Sequence, residues 1–104
     1  MSLDPIVLMS TTVVGTGAKV GPLGNVERTY QASIAGTGAL TGTVVIEGSN
    51  DNVNYLTIGT ITLSGTTSDS DGFVSSAPWT FVRARVPAAG ITGTSAVITV
   101  TLGR

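Results

Sequence analysis

Cysteine and histidine are both missing from this chain of 104 residues. Without cysteine there is neither a disulfide framework nor a thiolate metal site, so the fold must hold by packing alone. That chemistry tolerates reducing conditions and suits assembly inside a cytoplasm. Charge is scarce as well: only 11% of residues are Asp, Glu, Lys or Arg, about half the usual share. The five basic residues are Lys19, Arg28, Arg83, Arg85 and Arg104, and the net charge is −1. No field draws phosphates, and nucleic acid is not an expected partner. Long apolar runs are absent too, none nearing the ~20 residues that cross a bilayer. The stretch Pro5 to Met9 is too short for a signal-peptide core and follows Asp4, so neither a targeting segment nor a membrane partner is expected.

Helix signals are also missing, because Thr, Val and Gly stand where a helix would favour Ala, Leu, Glu or Lys. What is present is a succession of short β-branched segments punctuated by Gly, Asn and Asp. Strands are expected over 6–14, 26–35, 43–48, 55–64, 72–75, 79–86 and 95–102. In the last of these Ala96, Ile98, Val100 and Leu102 share one face and Ser95, Thr99 and Thr101 the other, the pattern of a sheet with one dry side. Leu56 and Ile58 lie out of phase with Ile61 and Leu63 across Gly59-Thr60, which predicts a β-bulge or a corner. The run Ser49-Asn50-Asp51-Asn52 predicts a turn in which side chains bond their own backbone. Loops are expected at Gly36-Thr37-Gly38 with Gly42 and at 15–24.

Together these features predict one all-β domain over 1–104, an antiparallel two-sheet β-sandwich of jelly-roll or immunoglobulin-like kind. Its expected core holds Ile46, Ile58, Ile61, Val82, Ala84, Ile98 and Val100. Residues 1–9, with Pro5, are expected to form an edge strand or an extended arm. A 41% apolar content supports one core, and a surface with little charge suits dense packing against other subunits, including copies of the same chain.

The chemistry for catalysis is thin. With neither His nor Cys, the remaining candidates are the six carboxylates Asp4, Glu27, Glu47, Asp51, Asp69 and Asp71, most of them at turn positions; the chain is not expected to be an enzyme. Ser68-Asp69-Ser70-Asp71-Gly72 has alternate Asp residues before a Gly, yet lacks the remaining ligands of a calcium loop, and a tight turn is expected there. Gly15-Thr16-Gly17-Ala18-Lys19-Val20 departs from both phosphate-binding fingerprints. No cofactor and no metal are expected.

One stretch is rich in recognition chemistry. Trp79-Thr80-Phe81-Val82-Arg83-Ala84-Arg85-Val86 alternates so that Val82, Ala84 and Val86 share one face and Trp79, Phe81, Arg83 and Arg85 the other. Two aromatics and two arginines on one strand face are residue types enriched in protein interfaces. The same stripe also reads as scaffold, with Trp79 and Phe81 capping the core and Arg83 or Arg85 pairing with Glu47 on a neighbouring strand.

The segments 45–51, Tyr55, Ile58-Gly59-Thr60-Ile61, Asp71-Gly72-Phe73, Trp79 and 82–86 together resemble small virion proteins of tailed bacteriophages, over roughly Thr43 to Arg104. Within that group the chain is most similar to capsid decoration, or cement, subunits. The resemblance implies a compact β-sandwich in the virion, assembled in the host cytoplasm, lying between major capsid proteins, often as a homo-oligomer with a terminal arm. A tail or connector component falls within the same likeness. The run Glu47-Gly48-Ser49-Asn50-Asp51 followed by an aromatic and an Arg-x-Arg strand is also similar to discoidin-like, galactose-binding jelly rolls, which would imply a carbohydrate-binding module.

Overall fold

The computed structural model describes residues 6–24 and 27–103. Seven strands follow one another with no helix among the described residues: β1 (Ile6–Thr11), β2 (Gly15–Thr16), β3 (Arg28–Ser49), β4 (Leu56–Gly65), β5 (Ser68–Ser75), β6 (Phe81–Val86) and β7 (Ile91–Gly103). The all-β, antiparallel expectation holds. Two separate sheets are not confirmed, because the ladders join all seven strands into one sheet curled into a half-barrel.

The organising element is the 22-residue β3. Its first part lies between β5 and β7, with Tyr30 opposite both Phe73 and Leu102; its last part lies between β4 and β6, with Ile46 opposite Gly59 and Ala84. β1 extends the first end by pairing with β7, and β2 extends the second by pairing with β6. A single bent strand thus replaces the two strands expected at 26–35 and 43–48. The intervening glycines form no loop. Instead, β3 advances five positions from Ala35 to Leu40 while its neighbour advances three, between Ser68 and Gly65. The surplus bends the strand, and Gly38 takes it up at φ +82, where a side chain would strain the backbone.

The curl encloses the core. Even-numbered residues of β3 (Tyr30, Ala32, Ile34, Leu40, Val44, Ile46) face inward onto Ile61, Leu63, Val82, Ala84, Val86, Ala96, Ile98, Val100 and Leu102, all buried. Six of the seven predicted core residues are fully buried, and Ile58 packs against the cluster while partly exposed. Ile58 sits at a register shift, since Ile46 faces Gly59 while Glu47 faces Thr57; the predicted phase slip is this bulge. The tight turn expected at Ser68–Gly72 is the first half of β5. Of the expected arm, Ile6–Met9 belongs to β1, paired with β7 around a bulge that turns Leu8 into the core; residues 1–5 lie outside the described residues.

Candidate functional site

Glu47 stands on the convex face of the sheet, near the end of β3, and is buried among its neighbours. Antiparallel pairing sets Arg83 of β6 directly opposite it, and Arg85 two residues further along the same face. Arg83 Nε donates to Glu47 Oε1 at 2.8 Å and Arg85 Nε to Oε2 at 3.3 Å. One carboxylate therefore holds two guanidinium groups. Both arginine side chains remain about a third exposed, at 31% and 36%, against 11% for Glu47. Among the described residues only their Nε atoms are hydrogen-bonded, so the terminal nitrogens of both forks are unspent.

Tyr55 braces this pair. Its ring lies under the Arg83 guanidinium, 3.8 Å from Cζ to the centroid, and its hydroxyl donates to Asn52 Oδ1 at 2.5 Å. Asn52 belongs to the turn predicted from Ser49-Asn50-Asp51-Asn52, and the expected self-bonding is there. Asp51 Oδ1 accepts from Val53 N, Asn54 N and Ser49 Oγ, while Ser49 Oγ accepts from the amides of Asp51 and Asn52. Backbone amides of Asn54 and Val53 hold the Asp51 carboxyl far below its ordinary value. A locally wired turn thus positions the ring that steadies the arginine.

The predicted stripe divides. Arg83, Arg85 and half-buried Phe81 belong to β6 and share its outward face. Lys19 Nζ lies 5.0 Å from the Phe81 ring centroid and adds a third cation beside the arginines. Trp79 precedes β6 and goes the other way, packing against the core over Gly48, where an added Cβ would come within 2.6 Å of the indole. Period-two alternation extended two residues beyond the strand assigned it to the wrong face. The scaffold reading of the stripe is therefore present for Trp79 and for the Glu47 pairing.

Sequence reasoning passed over Arg28, which is buried at the start of β3. Its Nη1 donates to Trp79 O at 2.5 Å and its Nη2 to Gly24 O at 2.6 Å. Nearby, the buried Tyr30 hydroxyl makes no hydrogen bond to a described residue. A charged residue is by type an unexpected core residue, and only its even register with Tyr30 and Ala32 signals that Arg28 is inward.

Chemically, the convex site offers two fixed, permanently charged forks that accept no proton, suited to binding a carboxylate or phosphate oxygen and not to acid–base work. A cavity of about 300 Å³ beside Trp79 is lined by Asn50, Ala77, Pro78 and Trp79. Asn50 Oδ1 in this lining already accepts from both Thr80 N and Thr80 Oγ1. Comparison with protein-family models, curated proteins and solved structures finds no match to this chain.

Proposed function

We propose that this chain is a non-enzymatic structural subunit of a tailed-bacteriophage particle, a capsid decoration subunit that binds between major capsid proteins. Its contact surface is the convex face carrying Arg83 and Arg85. The observation that carries the reading is the anchoring of both guanidiniums by the single Glu47 carboxylate, braced by Tyr55. Arginines held in place lose less side-chain freedom on binding, and their free nitrogens supply directed bonds to a partner's carboxylates or carbonyls. A surface with few other charges, repeated over many equivalent sites, adds strength through avidity and needs no catalytic centre.

The test is binding to virus particles. Arg85→Ala is expected to lower binding to heads, and the protection they gain against heat, while the melting temperature of the isolated domain stays near wild type, since exposed ion pairs contribute about 0–1 kcal/mol. Binding to tails alone would move the subunit to a tail or connector. Retention on a glycan array with no affinity for particles would replace the reading with the carbohydrate-binding one.

A further inference from the structure

Two groups of opposite charge lie on different surfaces of the described residues. On the convex side of β6, Arg83 and Arg85 hold Glu47 while Lys19 lies over the Phe81 ring on the same strand, three cations to one carboxylate. At the outer edge of the sheet, β5 pairs with β3 alone among the described strands. It carries Asp69 opposite Ile34 and Asp71 opposite Ala32, two negative charges side by side. Asp71 is exposed and, among the described residues, accepts only from its neighbour's amide, Gly72 N, at 2.8 Å; Asp69 Oδ2 accepts from Ser64 N, and no described residue bonds its other oxygen. Neither aspartate forms an ion pair among the described residues.

The two groups also match in spacing. Arg83 and Arg85 are two residues apart on a strand, and so are Asp69 and Asp71, which separates each pair by roughly 7 Å on one side of its strand. We propose that the rim of β5 in one copy docks on the convex face of β6 in a second copy, with Asp71 and Asp69 received by the free nitrogens of Arg85 and Arg83. The partner is another copy of this chain, because the complementary pair is its own. Rim and face are different surfaces and each copy offers one of each, so a head-to-tail, heterologous contact between them builds rings or chains. Unpaired edge strands invite association, and the inward-turned aspartates bias this edge toward a basic acceptor.

This contact rests on the reading of the chain as an assembly subunit and assigns the arginine face to a neighbouring copy, leaving that face open to a capsid protein only in a copy without such a neighbour; it is tested on the isolated protein with no particle present, so either can fail alone. Sedimentation velocity over rising concentration is expected to show the wild type assembling beyond a dimer, with assembly weakening as salt rises. Asp71→Lys, which spoils the rim, and Arg85→Ala, which spoils the face, are each expected to lose roughly tenfold or more in self-association, with unchanged melting temperatures confirming the fold. Mixing the two variants restores one good contact, rim of the second on face of the first, and yields dimers that grow no further. A wild type that stays monomeric, assembly indifferent to both substitutions, or a mixture without dimers would overturn the proposal.

Discussion

The two ends of β3 are built on the same inward face and opposite outward ones. From Arg28 to Ala35 burial alternates: Arg28, Tyr30, Ala32 and Ile34 are buried while Thr29, Gln31 and Ala35 are exposed. From Val44 to Ser49 every residue is buried. Both stretches lie between two neighbouring strands, so ladder pairing cannot explain the contrast. The outward neighbours can. Ser70, Thr99 and Thr101 flank the first end, and short hydroxyl side chains cover little. Arg85 and Arg83 lie directly opposite Val45 and Glu47 at the second, with the Tyr55 ring against Arg83, and long side chains cover more of their neighbours. The convex face is thus an ordinary wet sheet at one end and a braced, half-dry charge array at the other, which is why the candidate contact surface lies where it does.

The largest effect expected tests the shared part of the comparison. Ile46→Ala and Ile34→Ala both empty fully buried inward positions, and each is expected to cost about 2–5 kcal/mol in urea unfolding. A cost confined to one end would mean that the core is not continuous along β3. The next tests the difference. Glu47→Ala leaves two partly covered guanidiniums without their carboxylate and is expected to cost about 1–2 kcal/mol, the low end reflecting their partial solvation. Gln31→Ala, at the matching outward position of the other end, is expected to stay within about 0.5 kcal/mol. Equal costs would erase the distinction.

The smallest effect belongs to the inward face beside Arg28. Burial pushes the Tyr30 phenol above its ordinary 10.0, and the neighbouring Arg28 guanidinium offsets part of that rise. Above pH 10 the unfolded chain releases this proton more readily than the folded one. The stability held below pH 10 is therefore lost progressively as pH climbs toward the raised value. Tyr30→Phe removes a hydroxyl without a bonding partner among the described residues, so it is expected to change stability by less than about 1 kcal/mol at neutral pH. It should also flatten the alkaline fall in stability followed by denaturant titration. An unaltered alkaline limb would assign that fall to other groups.

Much of this was legible from local pattern. Alternation in Ala96–Leu102 and Val82–Val86 placed inward residues correctly, the phase slip after Ile58 marked a bulge, and the Asn- and Asp-rich turn announced its own bonding. The Arg83 and Arg85 pairing with Glu47 was readable as an option, because residues two apart on a strand share a face. Trp79 was misassigned because strand periodicity stops where the strand stops, at Phe81. The glycines near position 38 looked like a loop because a bent strand and a loop both need a residue free to take positive φ.

Composition and period-two patterning by themselves determined that the chain is all-β, that the longer apolar strands bury one face, and that acid–base chemistry is poorly supplied. These follow from local rules: side chains alternate every residue, and no His or Cys exists to titrate or ligate. Tertiary structure alone decided that two expected strands are one, that the sheets are a single half-barrel, that Arg28 is interior, and that one carboxylate gathers two arginines. Each of those depends on which distant strand lies alongside and in what register, and a shift of one residue would turn every side chain to the opposite face.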